Sequence, residues 1–239
     1  MTDISFFSWD KDGIRWFIDA SAYTGFHKAL AQKIVPYLEP GSTLCDAGCG
    51  IGRLDLELAR HVKNLTAIDV DEDAIKVLSR DAESLGLSNL RAYVHDAELL
   101  TEVFDTILLS FFRETSMPAF LKLCRRRIIR IVGADNRSNL YPENHRFKEK
   151  NAIPKVQDEL ISQGIGFKLE LAAIEFGQPL VSWRDAELYV LKNAPEATDK
   201  EIGDFLSERL VRTGREDFPY YLPNEKEFGI FIIDKEVTS

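Results

Sequence analysis

The stretch Thr43-Leu-Cys-Asp-Ala-Gly-Cys-Gly-Ile-Gly-Arg53 decides the fold predicted for this chain. Its apolar start is typical of a buried strand, and a helical pattern follows over Leu54–His61. Between the two, three glycines at alternate positions let the backbone turn sharply and approach a ligand where any Cβ would collide. The stretch therefore predicts a strand, a ligand-binding turn and a helix, which is the unit that opens nucleotide-binding α/β folds.

One acidic residue separates two interpretations of this turn. A dinucleotide-binding fingerprint needs its third glycine one residue later, where this chain has Arg53, and it has no acid two residues before its first glycine. Asp46 occupies that place here. A carboxylate beside the loop suits a ligand that carries positive charge better than it suits a pyrophosphate. S-adenosylmethionine, with its ammonium and sulfonium groups, is such a ligand.

Two further acids stand where the next two predicted strands end. Asp69 closes the second strand, and a carboxylate at such a tip can accept hydrogen bonds from both hydroxyls of a ribose. Asp96 follows the third strand and suits the exocyclic amine of an adenine, while the backbone amide of Ala97 reaches a ring nitrogen. The alternative for Asp69 is a surface acid that precedes the next helix.

Short apolar runs alternate with helical patterns from Ser42 to Val132, which predicts βαβ units around a parallel sheet. Asp71 is a plausible cap for the second of these helices. An amphipathic helix through Phe26, Leu30, Ala31, Ile34 and Leu38 leads into the first strand. The expected strands are Thr43–Ala47, Leu65–Ile68, Leu90–Val94, Phe104–Leu109, Ile128–Gly133, Phe167–Ile174 and Gly229–Ile233. The expected later helices are Asp73–Leu85, Met117–Cys124, Val156–Ser162, Asp185–Lys192 and Asp199–Val211.

The pattern predicts a single domain over residues 1–239. Its expected parts are covering helices in 1–40, a cofactor-binding core in 41–175, a helical insert in 176–225 and a final strand in 226–239.

The amino-acid composition limits the kinds of partner that we expect the protein to bind. The chain has 239 residues, a net charge of -9 and a pI near 5.1. This charge disfavours nucleic acid, because Lys and Arg supply most of the affinity for phosphates. Three cysteines form no disulfide framework, and we find no leader pattern and no apolar run of membrane-spanning length. We expect a cytoplasmic protein without membrane contact.

These segments resemble the sequential motifs of class I S-adenosylmethionine-dependent methyltransferases, in the small-molecule branch of that family. The resemblance spans residues 42–112. It implies a three-layer, Rossmann-like α/β fold with a seven-stranded, mostly parallel sheet in the order 3-2-1-4-5-7-6 and an antiparallel last strand. It also implies S-adenosyl-L-methionine as the cofactor and transfer of its methyl group to a small molecule.

The resemblance assigns parts of the cofactor to particular residues. The methionine part falls to Gly48, Gly50 and the Cys49 backbone beside Asp46, the ribose to Asp69 with Val70, and the adenine to Asp96 with Ala97. Ser110, at the end of the fourth strand, is expected to face the sulfonium.

In related enzymes the segment before the first strand lies over the cofactor, and a tyrosine or arginine there contacts its carboxylate. Tyr23 and Arg15 are the candidates in this chain. The alternative is that the aromatic residues Trp16, Phe17 and Phe26 only pin a covering helix to the sheet.

No motif marks a catalytic residue, because methyl transfer needs mainly in-line positioning, and a base only where the acceptor must lose a proton. His145, in the loop after the fifth strand, and His27 are candidate bases. Candidates for the acceptor pocket are Phe112, Asn136, Trp183 and Tyr220. The late aromatic residues could instead close a homodimer interface.

Three alternatives stay open. The stretch Gly133-Ala-Asp-Asn136 resembles the end of the fifth strand in metal-dependent catechol-type O-methyltransferases. Those enzymes hold magnesium with a further aspartate where this chain has Leu109-Ser110, so we expect no metal. A non-catalytic cofactor-binding subunit, or an aminopropyl-transfer enzyme, would carry the same acids.

The run Arg125–Arg127 is interpreted as a solvated turn rather than as a nucleic-acid site.

Overall fold

A sheet of seven strands forms the centre of the fold. The computed structural model describes residues 9–112, 116–134, 139–145 and 152–235. The strands in these ranges are β1 Thr43–Ala47, β2 Asn64–Asp69, β3 Leu90–Val94, β4 Phe104–Ser110, β5 Cys124–Gly133, β6 Lys168–Glu175, β7 Gln178–Leu180, β8 Val211–Arg212, β9 Tyr220–Leu222 and β10 Glu225–Asp234. The helices are α1 Lys11–Thr24, α2 Phe26–Ile34, α3 Arg53–Leu58, α4 Glu72–Ser84, α5 Met117–Leu123, α6 Ile153–Ser162, α7 Trp183–Asn193 and α8 Asp199–Arg209.

The order of the main sheet is β3-β2-β1-β4-β5-β10-β6. The first five strands pair in parallel, whereas β10 pairs antiparallel with both β5 and β6. Because β10 is the seventh strand of this sheet along the chain, the predicted order 3-2-1-4-5-7-6 and the predicted antiparallel last strand are confirmed.

Helices cover both faces of the sheet because side chains alternate along its buried strands. Leu44 points into a core formed with α2, α3 and α4, while its neighbour Cys45 points into a second core with α5 and α6. The predicted apolar side of α2 is confirmed, since its residues and Leu38 are all buried in the first core. Asp71 caps α4 as predicted, accepting from the amides of Asp73 and Ala74.

The sequence predicts a helical insert before the last strand, but the structure shows that the insert also contains strands. Strands β7, β9 and β8 form a small antiparallel sheet of their own. A third apolar core joins this sheet to α7 and α8, and Trp16 of α1 is buried in it. Short strands with mixed polarity leave too weak a periodicity to be found in the sequence.

The basic run also differs from its interpretation as a turn. Strand β5 begins at Cys124, so Arg125, Arg126 and Arg127 are strand residues and not a loop. Pairing with β10 extends the strand, since Arg127 lies opposite Asp234 in the register. Their side chains form ion pairs with Asp105, Glu39 and Asp234, respectively.

Within the described ranges, no helix is both long and apolar enough to cross a membrane.

A pair of carboxyl groups is buried where β1 meets α3. Asp46 is 1% exposed and Asp55 is fully buried. Burial raises the pKa of Asp46 to about 7 and, together with the neighbouring Asp46 carboxyl, raises the pKa of Asp55 well above its usual range. The sequence analysis did not single out Asp55, although an acid between Leu54 and Leu56 on a helix that packs against a sheet is a recognisable signal.

The raised pKa values predict that stability falls as pH rises. Between the unfolded pKa near 4 and the folded value near 7, the folded protein holds protons that the unfolded chain has lost, so the free energy of unfolding decreases with pH. Asp55→Asn removes one of these groups. The stability of Asp55→Asn minus that of the unmutated protein should therefore be larger at pH 8 than at pH 5, by about 1 kcal/mol or more.

Urea unfolding at the two pH values measures this difference. Asp204→Asn, which changes an exposed acid paired with Lys200, is the control and should give the same small effect at both pH values. Equal pH slopes for the unmutated protein and Asp55→Asn would contradict the buried carboxyl pair.

Candidate cofactor and acceptor site

A cavity of about 750 Å³ opens at the carboxyl ends of the parallel strands. Its volume is within the usual range for pockets that bind small ligands. Ligands bind at this edge in open α/β sheets, because the loops that leave parallel strands meet there. The lining residues are Trp9, Phe17, Phe26, His27, Asp46, Gly48, Cys49, Gly50, Leu54, Asp69, Val70, Asp71, His95, Asp96, Ala97, Ser110, Phe111, Phe112, Phe176 and Lys226.

The glycine loop between β1 and α3 forms the floor of the cavity. Gly48 and Gly50 have φ angles of 81° and 53°, which side chains rarely adopt. A Cβ on Gly48 would stand 2.3 Å from the Phe112 ring, and one on Gly50 would stand 2.6 Å from the Trp9 ring. Both glycines are therefore required by the backbone conformation and by the aromatic rings that cover them.

The backbone amides of the glycine loop donate hydrogen bonds to other groups of the protein. The N–H groups of Gly48 and Cys49 both donate to the Ile68 carbonyl, at 2.8 and 3.0 Å. The N–H of Gly50 donates to the Asp69 carboxylate at 2.8 Å. A phosphate-binding loop keeps such N–H groups for its ligand. In this loop the amides of Gly48, Cys49 and Gly50 are already hydrogen-bonded inside the protein, so the loop does not have the form of a phosphate-binding loop.

Asp69 is held rigidly at the tip of β2. One carboxylate oxygen accepts from the Gly50 amide and the other from the Asp71 amide at 2.9 Å. A carboxylate oxygen has a second lone pair, so each can still accept from a ribose hydroxyl. Asp69 and its neighbour Val70 line the cavity, so their positions fit the predicted ribose contact.

Asp96 lies at the tip of the neighbouring strand β3. Its side chain accepts from the Glu98 amide at 2.9 Å and so begins a short 3-10 helix over residues 97–99. Ala97 is buried against the cavity wall, and His95 lies beside it with Nδ1 2.8 Å from the Asp96 carbonyl. The structure thus brings the predicted ribose and adenine residues to one end of the cavity.

Aromatic side chains form the opposite end. Ser110 ends β4, and Phe111 follows with a φ of 50°, a strained value for a residue with a side chain. Phe176, one of the late aromatic residues expected to wall an acceptor or close a dimer interface, lines this end of the cavity. Lys226 and Trp9 were not among the predicted site residues, because long stretches of sequence separate them from the glycine loop and only the topology brings them to it.

His27 lies at this aromatic end, between α1 and the cavity. Its ring is buried, and Nδ1 is 2.7 Å from the Ser21 hydroxyl. Burial, with smaller contributions from Lys226 and Arg53, lowers the pKa of His27 to about 3. The ring is therefore neutral at physiological pH. A group of such low basicity is a poor general base, although its position at the cavity fits the prediction.

The structure places Arg15 and Tyr23 away from the cavity, which corrects the expectation that they contact the cofactor. Arg15 forms an ion pair with Asp185 of α7 at 2.6 Å. Tyr23 stacks on Tyr221 of β9, with the ring centroids 4.9 Å apart. Helix α1 therefore turns these side chains toward the insert, where they serve packing.

Three further predicted residues, the candidate base His145 and the candidate acceptor residues Trp183 and Tyr220, also lie outside the cavity lining. His145 is 3.5 Å from Glu201 of α8. The rings of Trp183 and Tyr220 pack edge to face within the insert, with their centroids 6.4 Å apart. Phe112, another predicted acceptor residue, does line the cavity. Asn136, like Asp135, lies outside the described residues. Within the described ranges, no three His, Cys, Asp or Glu side chains are grouped to hold a metal ion.

Comparison with known proteins finds a related domain in the segment that carries the glycine loop. Residues 38–153, just under half of the chain, match a family model described as a methyltransferase domain. The matched segment contains the glycine loop, Asp69, Asp96 and Ser110.

Curated relatives match over shorter stretches. A probable cobalt-precorrin-6B C(15)-methyltransferase (decarboxylating) from Methanobrevibacter smithii is 30% identical over 84 residues, which are 34% of this chain and 45% of the relative. A ribosomal protein L11 methyltransferase from Thermotoga petrophila is 30% identical over 98 residues, 38% of this chain and 36% of the relative. RNA methyltransferases match as well. The chain thus spans less than half of the length of the curated relatives it matches.

Solved structures show the same fold. The magnesium protoporphyrin IX methyltransferase from Synechocystis PCC 6803 with bound SAH superposes with a TM-score of 0.52 at 14% identity, covering 88% of this chain and 85% of that one. The match over residues 38–153 places a methyltransferase domain in this chain, and its fold is that of class I S-adenosylmethionine-dependent methyltransferases, whose cofactor is S-adenosylmethionine.

Proposed function

We propose that this protein transfers the methyl group of S-adenosylmethionine to a small-molecule acceptor. The observation that carries the proposal is the division of one cavity into two chemically different ends. Acids at the tips of β2 and β3 line one end, and the aromatic residues after β4 line the other. The first end suits a nucleoside, and the second leaves an apolar space for an acceptor.

The residues present fit the cofactor. Asp69 would accept from the ribose hydroxyls, and Asp96 with the Ala97 amide would bind the adenine. Gly48, Cys49 and Gly50 line the cavity and would lie along the methionine part of the cofactor. Asp46 also lines the cavity but has almost no exposed surface, so it would make little direct contact with the cofactor. Bound S-adenosylmethionine supplies an electrophilic methyl group on a positively charged sulfur.

The protein's contribution to the reaction is positional. An acceptor held in line with the methyl group would supply the electron pair of the new bond, and the electrons of the carbon–sulfur bond would leave with the sulfur of neutral S-adenosylhomocysteine. Ser110, Phe111 and Phe112 lie where they can align the acceptor with that bond and exclude water, which accounts for a large share of catalysis in such transfers. For an acceptor that must lose a proton, His27 would be only a weak base, because burial lowers its pKa.

Charge and shape favour a small acceptor over RNA. The net charge is -9, and Lys226 is the one lysine or arginine among the described residues that line the cavity. RNA binding relies on several cationic contacts to phosphates. Because RNA methyltransferases also match this chain, methylation of RNA is the alternative that the experiment must distinguish.

Methyl-labelled S-adenosylmethionine tests this directly. The protein is incubated with a cell extract divided into a filtrate of small molecules, a purified RNA fraction and a protein fraction. The expected result is labelled product in the filtrate, with little label in RNA or protein. Label mainly in RNA or protein would overturn the proposed acceptor class. No label anywhere, from a protein that binds S-adenosylhomocysteine, would indicate a non-catalytic binding subunit.

Asp69→Ala should weaken S-adenosylmethionine binding by about tenfold or more. The variant loses charge-assisted hydrogen bonds to the ribose, which contribute about 1.4 kcal/mol or more, and it also frees the Gly50 amide that Asp69 holds. Isothermal titration measures the affinity.

Asp73→Ala is the matched control, because Asp73 is a nearby exposed acid paired with Lys76. Its affinity should stay within about twofold of the unmutated protein. Unchanged binding in a folded Asp69→Ala protein would contradict the ribose assignment.

A further inference from the structure

Lys226 occupies a distinct place at the cavity. It lies near the start of β10, opposite Ile174 of β6 in the register. Two residues later, Phe228 pairs with Gly133 at the end of β5. Lys226 is therefore at the same edge of the sheet as the cofactor loop, but beyond the strands that carry the nucleoside acids.

Aromatic rings surround the ammonium of this lysine. Its Nζ is 3.7 Å from the centroid of the Phe111 ring and 5.8 Å from that of Phe176. Phe176 in turn packs on Phe26 at 4.4 Å and on Phe17 at 5.5 Å. The cation is thus set in an apolar wall, where its attraction for an anion is stronger than in water.

Charges along the cavity are separated. Asp69 at the tip of β2 and Lys226 on β10 are four strand spacings apart in the sheet, roughly 19 Å at about 4.8 Å for each spacing. His27, which also lines the aromatic end, is neutral. The carboxyl groups of Asp69 and Asp96 therefore lie on the β2 and β3 side of the cavity, and the end near β10 attracts an anionic ligand.

We propose that Lys226, Phe111 and Phe176 form an acceptor subsite for a flat, apolar molecule that carries a carboxylate. The inference rests on the proposed function and names its substrate class. The lysine ammonium binds the carboxylate, and the phenyl rings pack against the apolar body. The subsite holds the acceptor beside the residues that follow β4, close to the place proposed for the reacting sulfur.

Binding of 2-naphthoate and 2-naphthamide tests the subsite. The two probes share size and shape and differ in charge. Isothermal titration is carried out on the protein saturated with S-adenosylhomocysteine and on the free protein. We expect the carboxylate to bind at least tenfold more tightly than the amide, and Lys226→Met to remove that preference. Phe176→Leu should weaken both probes to a similar extent.

Lys168→Met is the matched control, since Lys168 is a strand lysine outside the cavity lining that pairs with Glu170. It should keep the full preference for the carboxylate. Equal binding of both probes, no binding of naphthoate, or a preference that survives Lys226→Met would overturn the subsite.

The two proposals fail in different ways. Lys226→Met should bind S-adenosylhomocysteine within about threefold of the unmutated protein. A much larger loss would assign Lys226 to the cofactor's own carboxylate and overturn the acceptor subsite alone. An unmutated protein that does not bind S-adenosylhomocysteine would overturn the proposed function. A Lys226-dependent preference for naphthoate in that protein would still support an anion subsite.

Discussion

The last two residues of β2 hold the glycine loop in place, and the site depends on that contact. The Ile68 carbonyl accepts the amides of Gly48 and Cys49, and the Asp69 carboxylate accepts the amide of Gly50. These bonds occupy the amides of the loop, so the loop is not arranged to bind a phosphate. They also fix Asp69 at the strand tip, where it lines the cavity. One small set of hydrogen bonds would thus disfavour a pyrophosphate ligand and hold Asp69 where it could accept from a ribose.

Much of this arrangement could be predicted from the sequence, because it is local. The spacing of Asp46 and the three glycines, the acids Asp69 and Asp96 after their strands, and the cap at Asp71 all lie within one βαβ unit or its neighbour. Alternation of apolar residues also predicted every strand of the main sheet to within a few residues. The order of the strands was implied by the resemblance to class I methyltransferases and not by the local pattern.

What the sequence did not predict depends on distant parts of the chain. Arg15 and Tyr23 belong to a helix with polar and aromatic residues on several sides, and the partner that decides their direction is Asp185 for one and Tyr221 for the other. Trp9 and Lys226 reach the cavity from opposite ends of the chain. Asp55 differs from these residues, because its place between Leu54 and Leu56 on the helix after the loop could have indicated its burial.

The central claim is that this cavity binds the nucleoside of S-adenosylmethionine with its sulfur toward the aromatic end. A crystal structure of the protein with S-adenosylhomocysteine tests it most directly. We predict ribose hydroxyls on the Asp69 carboxylate, the adenine amine on Asp96, and the sulfur facing Ser110 to Phe112. Ligand density elsewhere, or an adenine at the Phe176 and Lys226 end with Asp69 left in water, would contradict the account.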